Sequence, residues 1–234
     1  MKGDYSDFLP SFNVTFDLAT DVMLRFSAGQ AITRPTYDTL FTASISGYPD
    51  DRRGNEQITF GNPALDPMKS SQADLSLEYY YGPSNMISAT YFVKDISNFI
   101  VANTKFNQQI GAVNNDLLVP ADNWTVNNYV NAGGGTIDGI EFGYQQAFDF
   151  LPDFWSGFGV TFNYTYAPSE SASKDYYGET LPISDNSEHS ANSIIWYEKD
   201  GFQARVAHNY RSKRLQYPVN VWGQADFGFW QQPT

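Results

Sequence analysis

Apolar and polar residues alternate with a period of two along eight segments of the chain. In the longest segment, residues 154–166, every second residue is apolar or aromatic apart from Ser156, and the positions between them are mostly small or polar. A period of two predicts a β-strand, since successive side chains of a strand point to opposite faces. Strands of soluble proteins usually have about 5–6 residues, whereas strands that cross a membrane need roughly 9–11. The length of this segment therefore favours a membrane-crossing strand.

A second segment, residues 73–81, places charged side chains on only one of its faces. Asp74 and Glu78 alternate with Leu75 and Leu77, so one face suits lipid and the other requires water or polar partners. The lumen of a wide barrel provides that water. The six remaining segments are 12–18, 22–28, 87–93, 140–144, 190–197 and 202–206, of which 190–197 is ambiguous because it is apolar on both faces.

The connections between these segments alternate in length. The short connections, at 19–21, 82–85, 151–153 and 199–201, are rich in residues that turns favour. The long connections cover roughly residues 33–68, 99–132 and 168–187. Strict alternation places all the short turns at one end of the strands. Transmembrane barrels have this asymmetry, with short periplasmic turns and long extracellular loops.

Aromatic residues concentrate beside the short turns. Stacked side by side in a sheet, they would form a band at the level of the lipid headgroups, where amphipathic rings are favoured. Ordinary packing of aromatic residues near hairpins is the alternative for any single cluster. The residues concerned are Tyr79, Tyr80, Tyr81, Phe150, Phe154, Trp155, Trp196, Tyr197 and Phe202.

Six stretches of the chain, taken in order, resemble the barrel region of TonB-dependent receptors. They are residues 5–13, 24–35, 61–67, 91–100, 131–141 and 209–213. The resemblance implies a barrel of about 22 strands around an N-terminal plug, energised from the inner membrane through a short TonB box. We therefore expect an all-β fold: an antiparallel meander of about eight long strands that forms part of a transmembrane β-barrel. On this interpretation residues 1–234 are one partial barrel domain in the bacterial outer membrane.

The chain departs from the complete family pattern at both ends. Residues 1–5 lack the apolar region of a secretory signal, and we expect the chain to be a fragment without the signal peptide, TonB box, plug and terminal strand. An open sheet of eight strands would leave two unpaired edges in hydrocarbon, which a membrane does not tolerate. Closure into a small barrel is disfavoured because such a barrel is filled by side chains, whereas Asp74, Glu78 and Glu141 would point inward.

Composition excludes several other classes. The net charge of -12 argues against nucleic-acid binding, and no apolar run is long enough for a transmembrane helix. The chain has no Cys, and its two histidines, His189 and His208, do not form a ligand pair. No nucleophile has an obvious base and acid beside it. We therefore expect no metal, no cofactor and no enzymatic activity.

The resemblance implies a part of an importer in which long loops capture a scarce solute. The implied partners are outer-membrane lipid, the protein's own plug, the TonB complex and a small solute, either a carbohydrate or an iron chelate. Arginines suit carboxylate or phosphate groups, and aromatic rings suit sugars or aromatic chelates; loop packing is the alternative role for each. The candidate contacts are Tyr37, Tyr48, Arg52, Arg53, Trp124, Asn127, Asn128, Tyr176 and Tyr177.

Two other functions remain open on the sequence. A passive porin-like barrel would close without a plug, and a soluble β-sandwich that binds glycans would need no membrane. The porin would place the apolar face in hydrocarbon, as the receptor does, and the sandwich would place it in a protein core.

Overall fold

The chain folds almost entirely into β-strands in a computed structural model, which describes residues 6–46, 57–108, 124–175, 177–221 and 224–234. The helical elements of these ranges are the α-helix Tyr37–Phe41 (α1) and the 3-10 helix Asp153–Gly157. None of the described helices is long and apolar enough to span a membrane. The strands are Ser11–Ala19 (β1), Val22–Thr33 (β2), Ala43–Ser46 (β3), Gln57–Phe60 (β4), Met68–Gly82 (β5), Asn85–Ser97 (β6), Ile100–Gln108 (β7), Trp124–Asn131 (β8), Gly135–Ala147 (β9), Phe158–Tyr166 (β10), Ser169–Ser171 (β11), His189–Lys199 (β12), Phe202–Arg211 (β13), Arg214–Val221 (β14) and Gln224–Gln231 (β15).

The chain divides into two compact units. The first, which we call the loop unit, contains Met1–Phe8, Ile32–Lys69 and Ile96–Gly134. The second, the wall unit, contains Leu9–Ala31, Ser70–Asp95 and Gly135–Thr234.

The large sheet has the strand order β1-β2-β5-β6-β9-β10-β12-β13, and the short strand β11 pairs with β9. The eight strands of this path correspond one by one to the eight alternating segments, so the predicted meander is confirmed. The path begins at β1 and ends at β13, and among the described strands these two edges do not pair with each other. The expected open sheet is therefore confirmed. The described residues also contain a separate hairpin of β14 and β15.

The register of the wall unit sorts its side chains onto an apolar face and a polar face. Between β1 and β2, Phe16 lies opposite Leu24 on the apolar face, and Thr15 lies opposite Arg25 on the polar face. The same alternation continues to the other edge, where Ile195 lies between Val160 of β10 and Val206 of β13. The ambiguous segment 190–197 is thus a regular strand. It looked apolar on both faces because Trp196 and the buried Ile194 lie on its otherwise polar face.

Aromatic side chains cluster on the apolar face beside the short turns. The rings of Phe154, Trp155, Phe158, Tyr197 and Phe202 form a continuous group with centroid separations of 4.8–5.9 Å. The predicted clustering is confirmed for Phe154, Trp155, Tyr197 and Phe202, and Tyr79 stacks on Tyr81 at 5.4 Å. The prediction is wrong for Tyr80 and Trp196. Successive residues of a strand point to opposite faces, so both side chains lie on the polar face, where the Tyr80 hydroxyl donates a bond to Glu78.

The prediction of one strand over residues 154–166 is wrong at its beginning. Residues Asp153–Gly157 form a 3-10 helix, and β10 starts only at Phe158. Asp153 has a φ of 48°, a left-handed conformation that interrupts a strand. The Ser156 hydroxyl donates a 2.7 Å bond to the Asp153 carbonyl and so closes the turn. The apparent alternation of residues 154–157 therefore reflects aromatic packing and not strand period.

Two glycines on the polar face make room for neighbouring rings. A Cβ at Gly159 would lie 2.0 Å from the ring of Trp196, the residue directly opposite it on β12. A Cβ at Gly139 would lie 2.9 Å from the ring of Phe92 and still closer to the Tyr166 carbonyl oxygen. A ring that covers a strand glycine restores the packing that the missing side chain would have supplied.

We expect the two faces of β13 to respond oppositely to charge. Val206→Lys adds a cation at mid-strand on the apolar face, where the native side chain is 71% exposed. In a bilayer it should lower the free energy of unfolding by about 2–4 kcal/mol, measured by denaturant titration of the full-length protein in lipid vesicles. The adjacent Ala207→Lys on the polar face is the control and should change stability by under about 1 kcal/mol. Equal effects at both positions would contradict the assignment of faces.

Candidate functional site

The loop unit contains a four-stranded sheet with the order β3-β4-β8-β7. Its β4 and β8 pair in parallel, which departs from the antiparallel pairing expected for the whole chain. The departure is possible because these strands come from two different long connections and are not joined by a turn. Alternation gave no signal for these strands: β3 and β4 have only four residues each, and polar residues occupy both phases of β7 and β8.

Two of the candidate contacts, Asn127 and Asn128, lie on β8 and are bonded within this sheet. The Thr104 hydroxyl donates a 2.8 Å bond to Asn127 Oδ1, and Asn103 Nδ2 donates a 2.9 Å bond to Asn128 Oδ1. Both amides therefore contribute to a polar ladder between β7 and β8. Asn127 Nδ2 also donates a 3.5 Å bond to Gln57 Oε1 on β4, so the polar contacts of this residue reach across three strands of the sheet.

Trp124 and Tyr37 have opposite environments. Trp124 begins β8 and is 4% exposed, whereas Tyr37 begins α1 and is 83% exposed. A buried indole supports loop packing, and an exposed phenol is available to a solute. The other candidates of the first connection, Tyr48, Arg52 and Arg53, lie outside the described residues.

The base of the loop unit is held by the side chain of Asn131. Its Nδ2 donates to the carbonyls of Asp66 and Asn98 at 2.9 and 3.3 Å, and its Oδ1 accepts from the Asp66 amide at 2.8 Å. Asn98 has a φ of 61° and donates a further bond to the Pro67 carbonyl. We call this set of contacts the asparagine clamp.

Backbone bonds reinforce the asparagine clamp. The Ala132 amide donates a 2.6 Å bond to the Phe99 carbonyl, and Leu65, the residue before Asp66, is fully buried. Three of the six stretches that carry the resemblance, 61–67, 91–100 and 131–141, contribute to these contacts. Those stretches therefore hold the bases of two long connections together, a structural role that the sequence did not reveal.

The third long connection forms a hairpin within the wall unit. Asp175 Oδ1 accepts bonds from the amides of Tyr177 and Glu179 at 2.9 and 2.8 Å, which shapes the tip. Below the tip, the Ser171 amide bonds the carbonyl of the buried Leu181. Tyr177 is 80% exposed at this tip, and the candidate Tyr176 lies outside the described residues.

The polar face of the wall unit carries a charged network. Arg25 Nε lies 3.0 Å from Glu78 Oε1, and the Tyr80 hydroxyl donates a 2.6 Å bond to Glu78 Oε2. Nearby, the Ser27 hydroxyl donates a 2.8 Å bond to Asp74. A carboxylate turned toward a sheet interior is tolerated when it is paired and hydrogen-bonded. The expectation that Asp74 and Glu78 lie opposite the apolar face is confirmed.

A concave region of ≈ 670 Å³ lies on the same face near the short turns. Sequence reasoning missed its polar residues, which occupy the positions between the apolar ones on their strands. Its charged and polar lining includes Gln145, Glu198, Gln203 and Arg205, with Trp196 as its largest ring. A surface with this mixture of amides and opposite charges suits a protein or polar solute more than hydrocarbon.

The described residues contain no group of three or more His, Asp or Glu side chains placed to hold a metal ion. His189 instead shares a 2.8 Å hydrogen bond between its Nδ1 and the Tyr164 hydroxyl, and its ring lies 5.1 Å from that of Tyr166. This histidine therefore packs at the beginning of β12.

Long strands with one apolar and one polar face, short turns at one end and long connections at the other define an outer-membrane β-barrel protein. A family model for the TonB dependent receptor-like β-barrel matches residues 2–232. The chain belongs to this family, which is one of transport receptors and not of enzymes, and its place is the bacterial outer membrane. A comparison with curated proteins gives no match.

Solved structures of similar fold come from siderophore receptors. A mutant of the ferric enterobactin receptor PfeA from Pseudomonas aeruginosa is 18% identical, with a TM-score of 0.68, over 97% of this chain and 31% of that one. The siderophore receptor PirA from Acinetobacter baumannii is 18% identical, with a TM-score of 0.66, over 97% of this chain and 33% of that one. PirA from Pseudomonas aeruginosa is 16% identical, with a TM-score of 0.59, over 96% and 35%. The chain thus spans about a third of their length.

We expect Asn131→Ala to loosen the asparagine clamp. The change removes three hydrogen bonds and should lower local stability by about 1–3 kcal/mol. Amide hydrogen exchange of the full-length protein should then speed up in peptides that cover residues 61–67 and 98–99. Asn103→Ala, which removes a single bond between side chains in the same sheet, is the control and should leave those peptides unchanged. Unchanged exchange in Asn131→Ala would contradict the clamp.

Proposed function

We propose that the chain supplies barrel wall and ligand-capture loops to an active outer-membrane importer of a scarce solute. The single observation that carries this proposal is the match of the family model to residues 2–232. The open order of the large sheet supports it, because the edges β1 and β13 require further strands before the backbone can be satisfied in hydrocarbon. The expected partners are those further strands, a plug that fills the lumen, and the TonB complex.

The polar face of the wall unit is where we place the plug. Its paired charges, Arg25 with Glu78, and the concave region lined by Glu198 and Arg205 offer donors and acceptors to a protein surface. The same polar surface would suit a passive porin, in which water and not a plug fills the lumen. A porin is therefore the second candidate, and the test below separates the two by the need for energy.

Solute capture is assigned to the long connections. The proposed contacts remain Tyr37, Tyr48, Arg52, Arg53, Trp124, Asn127, Asn128, Tyr176 and Tyr177. Among those described, the exposed rings of Tyr37 and Tyr177 are the strongest candidates, since their surfaces are accessible to a solute. Loops that close over a ligand act by binding one conformation better than another.

The solute is either an iron chelate or a carbohydrate. The solved structures named above include PfeA in complex with enterobactin, which favours testing an aromatic iron chelate first. Exposed tyrosine rings also suit sugars. Uptake assays in cells that lack other receptors should separate the two, with ferric catecholate and oligosaccharide as the two probes. Loss of uptake on TonB depletion supports the active importer, and uptake that persists supports the porin.

We expect Tyr37→Ala and Tyr177→Ala to weaken solute binding to the full-length receptor. Loss of a stacking ring should raise the Kd by about threefold to tenfold for each residue, measured by calorimetry with the transported solute. Phe150→Ala removes a ring that is also largely exposed, at the short-turn end, and is the matched control, for which we expect an unchanged Kd. Trp124→Ala and Arg52→Ala extend the test to the other loops. An unchanged Kd in all four loop variants would refute the assignment of contacts.

A further inference from the structure

A second cavity, of ≈ 440 Å³, opens on the apolar face at the short-turn end of β10, β12 and β13. Its size lies within the range of about 300–1,000 Å³ that is common for small-molecule sites. Its walls are largely aromatic, yet two charged residues also line it. The lining residues are Phe154, Phe158, Tyr197, Lys199, Asp200, Phe202 and Ala204.

Lys199 lies on the apolar face, because the register of the hairpin places it directly opposite Phe202. Its Nζ donates to the Asp153 carbonyl and, at 2.9 Å, to the Ser156 hydroxyl. An ammonium group has three N–H donors, so these bonds hold the cation in position and use two of them. The 3-10 helix that precedes β10 provides both acceptors. A lysine fixed in this way among aromatic rings differs from a surface lysine that extends freely into water.

Asp200 follows at the tip of the same hairpin. It has a φ of 52° and is exposed, so its carboxylate remains beside the cavity without being buried. The site therefore presents a cation held by the turn, an adjacent anion and an apolar wall. A zwitterionic lipid headgroup has the complementary charges, and its acyl chain has the complementary apolar surface.

We propose that this cavity binds a phospholipid with a phosphoethanolamine headgroup from the leaflet on the short-turn side. The phosphate accepts a charge-assisted hydrogen bond from Lys199, and the ethanolammonium donates to Asp200. The acyl chain lies along Phe202 and Tyr197, in continuity with the lipid-facing surface of the wall unit. The inference concerns anchoring of the barrel in its membrane, and it holds whatever solute the receptor transports.

The test is a lipid titration of the delipidated full-length receptor in detergent, followed by native mass spectrometry. The probes are phosphatidylethanolamine, phosphatidylglycerol and diacylglycerol with identical acyl chains. We expect phosphatidylethanolamine to bind best and diacylglycerol worst. Lys199→Met should weaken both phospholipids about fivefold to tenfold, and Lys199→Arg should recover most of the affinity. Asp200→Asn, which tolerates the same positive φ, should remove only the preference for ethanolamine.

Lys213→Met is the matched control. Lys213 also lies near an aromatic ring, 5.4 Å from the centroid of Trp230, but it follows the opposite end of β13. We expect this variant to bind phospholipid as the native receptor does. If Lys199→Met disturbs the turn, Phe202→Ala tests the apolar wall without removing the cation and should also weaken binding.

Three results would overturn the proposal. The first is equal phospholipid affinity in Lys199→Met, Phe202→Ala and the native receptor. The second is equal affinity for diacylglycerol and phosphatidylethanolamine. The third is displacement of the lipid by free inorganic phosphate at the same concentration, which would show a general anion site and not a lipid site.

Discussion

The fold depends on one constraint, which is that a peptide group in hydrocarbon must find its hydrogen-bond partner within the protein. The large sheet meets this requirement by pairing each long strand with neighbours on both sides, from β2 through to β12. Because pairing fixes the strands side by side, the period of two then decides which residues meet lipid. The positions of Phe16, Leu24 and Val206 on one face, and of Arg25 and Glu78 on the other, follow from that geometry.

The sequence predicted the large sheet well because alternation is a local signal. All eight alternating segments became strands of one meander, including 190–197, where Ile194 and Trp196 obscured the pattern. It failed at residues 154–157, where aromatic residues happen to alternate within a 3-10 helix. The turn there is fixed by the left-handed backbone of Asp153 and by the hydrogen bond from Lys199 of β12 to its carbonyl. A contact between distant parts of the chain leaves no periodic signal in the sequence.

The candidate site was less predictable than the wall, for a physical reason. Strands β3 and β4 have only four residues each, and β4 pairs with β8 in parallel across distant connections. Residue type alone could not distinguish the buried Trp124 from the exposed Tyr37, although both are aromatic residues in long connections. The residues of the concave polar face were also overlooked, since Gln145, Gln203 and Arg205 belong to no recognisable motif.

Because of the asparagine clamp, the stability at the base of a long connection does not depend on the length of that connection. Asn131 and the backbone bond from Ala132 to Phe99 close the connection between β6 and β9 at its base. Beyond a closed base, doubling the length of a loop costs only about 0.6 kcal/mol in closure entropy. A change in the length of such a connection therefore adds little closure entropy at its base. Connections of different length can therefore follow the same closed base while the paired strands of the wall keep their register.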